Sequence, residues 1–338
     1  MKALVTGGAG FIGSHVADEF LKRNYETTVL DDLSGGFREN IPAGARFVQG
    51  SVNDADLVER LFAEEKYDVV FHLAAYAAEG LSHFIRRFNY TNNLVGSATL
   101  LNAAVRHPVQ VFGFTSSIAV YGANQVPMRE DVVPAPEDPY GIAKYAVELD
   151  LAAARRLFGL DSVVFRPHNV YGERQNIGDR YRNVIGIFMS QLMRGEPLTV
   201  FGDGEQQRAF SHISDVAPVM VSALLDPACR NETFNVGAST PYTVNQLIRE
   251  IADAFGVEPR VTYLPAREEV KVAYSSHDKI RAAVPCPDPL PLREGIRRMA
   301  DWARAHGPRK GPVFSSVEVW KNMPPFWLSE LSAAGLAP

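Results

Sequence analysis

Three glycines near the start of the chain constrain its fold more than any other feature. Gly7, Gly10 and Gly13 in VTGGAGFIGSH follow a short apolar run and open a helical pattern. Glycine at such a turn lets the backbone approach a ligand closely, and the N–H groups and dipole of the following helix favour a pyrophosphate. The stretch therefore predicts the phosphate-binding turn of a dinucleotide-binding βαβ unit.

Strand-like and helix-like segments alternate through the first half of the chain. The strand-like runs are ALVTGG, TTVLDD, ARFVQGS, DVVFHLAA, VFGFTSS and SVVFRPHNVYG. Their nearly continuous apolar character is typical of strands buried on both faces, and the alternation predicts right-handed βαβ crossovers. We expect an α/β fold, a Rossmann-type doubly wound parallel sheet with a smaller interleaved C-terminal substrate domain.

The pattern changes after Tyr171, where loops rich in Gly, Pro, Arg and Asn separate scattered helices such as VIGIFMSQLMRG. We predict a dinucleotide-binding domain over residues 1–165, with further strand and helix contributions from about 210–237, where ETFNVG reads as a strand. Residues 166–338 are expected to form mainly the substrate domain. The late stretch PVFSSVEVWKNMPPFWLSE is apolar enough to pack on the body of the protein.

Composition excludes several classes of protein. The 338 residues carry a net charge of -5, which argues against a nucleic-acid or anionic-membrane partner. No apolar run approaches the roughly 20 residues of a membrane span, and the first strand begins too early to leave room for a signal peptide. Cys229 and Cys286 form no CxxC pair, and the histidines show no metal-ligand spacing. We expect a cytoplasmic protein with no metal.

An acidic residue ends the second strand-like run. Asp31 in VLDDLSGG lies 18 residues after Gly13, where a carboxylate can accept hydrogen bonds from the adenosine ribose and repel a 2′-phosphate. No arginine follows immediately, so the sequence favours NAD over NADP. Ser51 and Val52, after the third strand, are expected beside the adenine.

A tyrosine and a lysine are set one helical turn apart in DPYGIAKYAVELD. Asp138 is placed to cap the helix and Pro139 to occupy its first turn, so Tyr140 and Lys144 project from one face. An ammonium group beside a phenol stabilises the phenolate, and moving its pKa from ~10 to ~7 takes roughly 4 kcal/mol. The pair predicts a tyrosine that acts as a base.

Together, TGGAGFIGSH, FTSSIAVYG, YGIAK and RPHNVYG resemble the extended short-chain dehydrogenase/reductase family, in its nucleotide-sugar epimerase and dehydratase branch. The resemblance extends to about residue 305. It implies an NAD-dependent enzyme in which Ser117, Tyr140 and Lys144 are catalytic and Ser116 is structural. It also implies a homodimer formed through the helices near 93–106 and 140–158.

The resemblance extends to the ligand-binding positions. The residues that it places at the cofactor are Gly7, Gly10, Phe11, Ile12, Gly13, Asp31, Asp32, Ser34, Ser51, Val52, Leu73, Ala74, Ala75, Asn92, Thr115, Tyr140, Lys144 and Pro167. Those that it places at the substrate, a nucleotide sugar, are Ala77, Glu79, Ser117, Tyr140, His168, Asn169, Asn183, Val200, Phe201, Arg208, Arg267 and Tyr274. Of these, Arg208 and Arg267 suit a diphosphate because the guanidinium group is bidentate.

The two residues after Ser117 separate the possible reactions. Dehydratases of this branch carry an acid and a base there, whereas Ile118 and Ala119 cannot transfer a proton. The resemblance then favours 4-epimerisation, with UDP-glucose and UDP-galactose as the first substrates to consider. Epimerisation of UDP-glucuronate or of a GDP- or CDP-sugar, reduction of a 4-ketosugar, and a non-enzymatic dinucleotide sensor remain as alternatives.

Overall fold

The computed structural model describes residues 1–123, 126–266, 270–309, 311 and 313–336. The strands in chain order are β1 (Lys2–Thr6), β2 (Glu26–Asp31), β3 (Arg46–Gln49), β4 (Val69–His72), β5 (Val111–Thr115), β6 (Ser162–Pro167), β7 (Val170–Tyr171), β8 (Leu198–Phe201), β9 (Gln207–Ala209), β10 (Ser211–His212), β11 (Thr233–Val236), β12 (Pro241–Thr243), β13 (Val261–Leu264) and β14 (Val272–Ala273).

The α-helices in chain order are α1 (Phe11–Lys22), α2 (Ala55–Glu65), α3 (Glu79–Ser82), α4 (Arg86–Tyr90), α5 (Gly96–Arg106), α6 (Pro139–Phe158), α7 (Val184–Met193), α8 (Ile213–Leu225), α9 (Val244–Phe255), α10 (Asp278–Ala283), α11 (Leu292–His306) and α12 (Pro325–Ala333). Short 3₁₀ turns lie at Arg38–Asn40, Ile118–Tyr121 and Pro227–Cys229, and a π-helical turn, Thr91–Val95, leads into α5.

A seven-stranded parallel sheet in the order β3-β2-β1-β4-β5-β6-β11 forms the centre of the protein. All of its strands except the edge strand β3 are largely buried, since α1 and α8 pack on one face and α2, α5 and α6 on the other. The predicted Rossmann-type doubly wound fold is confirmed. Chain order reverses between β1 and β4, and such a reversal opens a ligand-binding crevice at the carboxyl ends of the strands.

A further hydrophobic core lies outside the sheet. Side chains of α7, α9 and α11 pack there with β8, around Ile185, Leu198, Leu247 and Ile296. β11 extends the central sheet beside β6 although it comes late in the chain. The division into two domains at the boundaries expected from sequence stays a prediction.

One predicted strand is two separate elements. The run SVVFRPHNVYG forms β6 and then β7, which pairs with β10 rather than with the central sheet. The chain turns at Asn169, whose φ of 39° is in the left-handed region, and Pro167 has no N–H to continue a ladder. The turn leaves His168 and Asn169 at the end of β6, beside the crevice.

In the described parts of the chain no helix is long and apolar enough to cross a bilayer. Cys229 is buried and Cys286 half-buried, and the two are not bonded to each other.

Candidate active site

One large cavity of about 1660 Å³ lies along the carboxyl edge of the sheet, at the point where strand order reverses. The glycine turn, the end of β2, the end of β5 and the start of α6 all open onto it. So do β8 and β9 on the opposite side. The cavity is therefore a cleft between the sheet and the C-terminal elements, with room for a dinucleotide and a second ligand.

The glycine turn forms a cradle that side chains would fill. A Cβ on Gly13 would lie 2.1 Å from the carbonyl oxygen of Gly7, and one on Gly7 would lie 2.7 Å from the Ala74 nitrogen. Gly7 also has φ of 72°, which favours glycine. No side chain caps the N-terminus of α1, which leaves its first-turn N–H groups available to a ligand. The turn fits the pyrophosphate of a dinucleotide.

Asp31 ends β2 at the rim of this cradle. Its carboxylate accepts hydrogen bonds from the backbone N–H groups of Ala9, at 3.0 Å, and Leu33, at 2.8 Å. Burial raises the pKa of Asp31, and these two hydrogen bonds oppose the rise. These hydrogen bonds fix the Asp31 carboxylate at the position where the sequence predicts the adenosine ribose.

The residues predicted to hold the cofactor share this one cavity. Those that line it are Gly7, Gly10, Phe11, Ile12, Gly13, Asp31, Asp32, Ser34, Ser51, Val52, Leu73, Ala74, Ala75, Asn92, Thr115, Tyr140, Lys144 and Pro167. Their contact with a bound dinucleotide stays a prediction. The cradle of α1 and the position of Asp31 fit NAD.

Helix α6 presents three functional groups in one row. It starts where the sequence predicts, because the Asp138 side chain accepts from the Gly141 N–H at 2.9 Å and Pro139 fills the first turn. Tyr140, Lys144 and Glu148 follow at intervals of one turn, so they share a face. That face packs against the ends of β5 and β6.

Lys144 is buried and held by the main chain of β5. Its Nζ donates to the Thr115 carbonyl oxygen at 2.8 Å and lies 5.8 Å from the centre of the Tyr140 ring. Burial lowers the pKa of Lys144 to about 7, with Glu148 acting in the opposite direction. The Lys144 ammonium group therefore lies near the phenol while it is bonded to the main chain of β5.

Lys144 and a cationic nicotinamide ring are together expected to lower the pKa of the phenol, and this stays a prediction. Burial raises the pKa of Tyr140 above its usual value, and the charges of Glu79 and Asp138 add to this. A hydrogen bond with Ser117 and the charge of Arg182 act in the opposite direction. Lys144 Nζ donates to the Thr115 carbonyl oxygen rather than to the phenol.

Ser116 and Ser117 have different environments. Ser116 is buried and its Oγ donates to Glu148 Oε1 at 2.5 Å, within a network that also includes Arg166. Ser117 Oγ accepts from the Ala119 N–H at 3.2 Å, opens onto the cavity and interacts with Tyr140. The arrangement supports a structural role for Ser116 and a reactive one for Ser117.

Most residues predicted for the substrate also border the cavity. They are Ala77, Glu79, Ser117, Tyr140, His168, Asn169, Asn183, Val200, Phe201 and Arg208. Tyr274 does not line it, whereas its neighbour Ala273 on β14 does. Side chains alternate along a strand, so the residue after Ala273 is directed away. Arg267 lies outside the described residues.

Two asparagines on this side have backbones in the left-handed region, with φ of 39° at Asn169 and 62° at Asn183. The Asn169 amide donates to the Ala209 carbonyl oxygen at 3.1 Å, and that of Asn183 to the Val170 carbonyl oxygen at 2.6 Å. Arg208 borders the same space and donates to the Lys271 carbonyl oxygen at 3.1 Å. These contacts fix the wall opposite Tyr140.

A buried pair of histidines supports the same wall. The Nε2 atoms of His168 and His277 are 3.2 Å apart, and Ser239 Oγ lies 2.9 Å from His277 Nδ1. Burial lowers the pKa of His168 to about 4 and that of His277 to about 2. Both rings are therefore neutral, and they can share one hydrogen bond.

Two contributions to the site were missed from sequence. Arg182 lines the cavity, stacks 5.1 Å from the Tyr76 ring and affects the pKa of Tyr140. Arg182 directly precedes Asn183 in the motif RYRN, and the resemblance places Asn183 at the substrate. That position was the feature of the sequence that could have identified Arg182. The second contribution comes from residues 319–330, several of which line the cavity. Among the described residues, no group of acidic, histidine or cysteine side chains could hold a metal ion.

The fold and the site define a class: an enzyme with a Rossmann-type dinucleotide site and a serine, a tyrosine and a lysine beside it. The chain belongs to the NAD dependent epimerase/dehydratase family, whose model matches residues 3–237. Its cofactor is accordingly NAD.

Relatives and solved structures resemble almost all of the chain. The UDP-glucose 4-epimerase of Mycolicibacterium smegmatis is 34% identical over 312 residues, covering 90% of this chain and 99% of that protein. The UDP-glucose 4-epimerase of Thermotoga maritima, solved with UDP-glucose, is 35% identical with a TM-score of 0.87, covering 90% and 99%. The Thermus thermophilus enzyme, solved with NAD, is 33% identical with a TM-score of 0.83, covering 89% and 98%.

Proposed function

We propose that the protein is an NAD-dependent 4-epimerase of a nucleotide sugar, with UDP-glucose and UDP-galactose as its substrates. The observation that carries the proposal is the set of groups around Tyr140. Ser117 hydrogen-bonds Tyr140, and Lys144 Nζ lies 5.8 Å from the phenol ring centre. By resemblance, Ile118 and Ala119 stand where an elimination would need an acid and a base. The site can move one hydroxyl proton, and the two residues after Ser117 offer no acid or base for an elimination.

In this mechanism Tyr140 takes the proton of the sugar 4-hydroxyl, either directly or through Ser117. NAD, held by the glycine turn and Asp31, would supply the acceptor and donor of the C4 hydride. Lys144 stabilises the phenolate by its charge. Tyr140 and Lys144 are buried, which limits the access of water to the reacting groups.

The sugar is expected to be neutral. Glu79 lines the cavity and is close enough to Tyr140 to affect its pKa. A carboxylate on C5 of the sugar, as in UDP-glucuronate, would bring a second negative charge towards Glu79 and the developing phenolate. UDP-glucose and UDP-galactose carry no such charge, and this favours them over UDP-glucuronate.

The test is separate incubation of the purified protein with UDP-glucose, UDP-galactose, UDP-glucuronate, UDP-N-acetylglucosamine, GDP-mannose and a CDP-hexose, followed by chromatographic separation. We expect interconversion of UDP-glucose and UDP-galactose without net consumption of NADH. Stoichiometric consumption of NADH with a 4-ketosugar would indicate a reductase. Binding of NAD with no turnover of any sugar would indicate a dinucleotide sensor.

We also propose that the active form is a cytoplasmic homodimer. Exposed apolar side chains on α6 and the turn before α5 support it: Ile142 is 39%, Leu149 55% and Val95 54% exposed. Ile142 and Leu149 are two turns apart, hence on one face, and α5 packs beside α6. Light scattering should give twice the chain mass, and Leu149→Glu should give one chain mass.

A further inference from the structure

Residues 313–336, here called the C-terminal strap, lie beyond the point near residue 305 where the sequence resemblance to the family ends. The strap is anchored first to the segment after β4. The N–H groups of Glu318 and Val319 donate to the Phe84 carbonyl oxygen at 2.8 and 3.1 Å. The Glu318 carboxylate accepts from the backbone N–H groups of Arg87 and Phe88, at 2.7 and 2.8 Å.

A hydrophobic contact secures the middle of the strap. Met323, Trp327 and Leu331 are buried together with Ala78 and Leu81. The segment that carries Ala78 also carries Glu79, which borders the cavity near Tyr140. The strap therefore packs directly on the wall that faces the sugar.

The same part of the strap also contacts the opposite wall. The Phe326 ring meets the Phe201 ring edge-on, with centres 6.3 Å apart. Trp327 meets Phe84 at 6.2 Å and Tyr181 at 5.4 Å, and Glu330 forms an ion pair with Arg180. The strap therefore joins the segment after β4 to the end of β8 and the loop before α7.

A turn at Lys321 and Asn322 lies between these two anchors. Both residues are exposed and line the cavity, and Asn322 has φ of 63°. Lys321 makes no ion pair with any residue that the structure describes. In the chain it stands between Val319, bonded to Phe84, and Phe326, in contact with Phe201. The positive charge of Lys321 therefore borders the cavity.

We infer that the strap completes the nucleotide-binding end of the substrate site. Lys321 contributes a charge to the diphosphate, and Phe326, with Phe201, borders the base. This inference rests on the proposed nucleotide-sugar substrate. Lys321 and Phe326 line the same cavity as Glu79 and Phe201, so both can reach a nucleotide sugar that extends through it. Ammonium groups bind phosphate oxygens strongly, and aromatic rings pack on bases.

The experiment compares binding of UDP and of uridine to wild type, Lys321→Met and Phe326→Leu by calorimetry. We expect Lys321→Met to raise the Kd of UDP about tenfold, the effect of one charge-assisted hydrogen bond, and to leave the Kd of uridine within about twofold. The Kd of UDP should also respond less to salt in this variant. Phe326→Leu should weaken the binding of UDP and the binding of uridine by the same factor.

The matched control is Lys66→Met, which removes an equal charge at the end of α2, away from the cavity. It should bind UDP as the wild type does. If wild type interconverts UDP-glucose and UDP-galactose while Lys321→Met binds UDP normally, the strap inference is wrong and the proposed function stands. If wild type neither binds UDP nor converts a UDP-sugar, both are wrong. The unfolding midpoints of the variants distinguish a variant that has lost a contact with the ligand from one that no longer folds.

Discussion

Lys144 and Tyr140 are neighbours on α6, yet the Lys144 ammonium group bonds the Thr115 carbonyl oxygen at 2.8 Å and remains 5.8 Å from the phenol ring centre. The lysine is thus fixed by β5 rather than by the tyrosine. A phenolate beside it would have a positive charge close by without losing that backbone contact. This geometry makes the two side chains separable by mutation.

We expect Tyr140→Phe to reduce kcat for UDP-galactose by about 10²–10⁴-fold, the usual contribution of a positioned proton-transfer group. The cofactor should stay bound, since the glycine turn and Asp31 are untouched. Activity is measured chromatographically, and bound NAD by absorbance after the protein is denatured. Activity within tenfold of wild type would show that Tyr140 is not the base.

Lys144→Met should lower kcat by roughly 10²–10³-fold, the effect of losing one preorganised donor. The effect that identifies the role of Lys144 is a change in the pH dependence of kcat. Without the ammonium group the phenolate is less stable, so the rising limb of log kcat should move to higher pH. The pH profile of kcat measures this, with Lys66→Met as the control. If the rising limb of the profile stays at the same pH in Lys144→Met, Lys144 serves in cofactor binding alone.

Glu148→Ala should destabilise the protein by about 3–5 kcal/mol, because it leaves the Arg166 guanidinium buried without its partner. The two side chains are 7% and 5% exposed, with Arg166 Nη2 2.5 Å from Glu148 Oε2. Urea unfolding measures the change. Replacing both residues together, as Glu148→Leu with Arg166→Met, should recover much of the loss. A single variant as stable as wild type would contradict the expectation.

His277→Asn should reduce the loss of stability in acid. Burial, and then the nearby His168 and Arg281, lower the folded-state pKa of His277 to about 2 from an ordinary 6.5. Below pH 6.5 the unfolded chain binds the proton and the folded chain does not. Stability therefore falls as pH decreases, by up to ~1.4 kcal/mol per pH unit for this group.

The measurement is the free energy of unfolding between pH 6.5 and pH 4. The slope should be shallower in His277→Asn than in wild type, and unchanged in His306→Asn, which alters an exposed histidine. Equal slopes in wild type and His277→Asn would mean that His277 takes up its proton in the folded protein.

Sequence predicts those features of the site that local rules govern. The start of α6 follows from Asp138 and Pro139, whose capping and fixed φ act within one turn. The cradle follows from Gly7 and Gly13, where a Cβ would clash. The parallel sheet follows from apolar strands that alternate with helices.

Other features depend on residues that are far apart in the chain. Glu148 meets Arg166, which in turn contacts Tyr121, and no local pattern predicts such a network. The apolar composition of the strap predicts that it packs on the body of the protein. Composition does not identify the residues that the strap contacts. Tyr274 was placed at the substrate by resemblance, and the register of β14 directs Ala273 there instead.

The cavity is bounded by residues from both ends of the chain, from Gly7 to Glu330. During synthesis the N-terminal strands can pair early, because domains fold as units while the chain emerges. The lining residues of α12, Phe326, Trp327 and Glu330, are synthesised last. A nascent chain can therefore acquire the cradle for its dinucleotide well before it can enclose a sugar, so cofactor loading can precede completion of the enzyme.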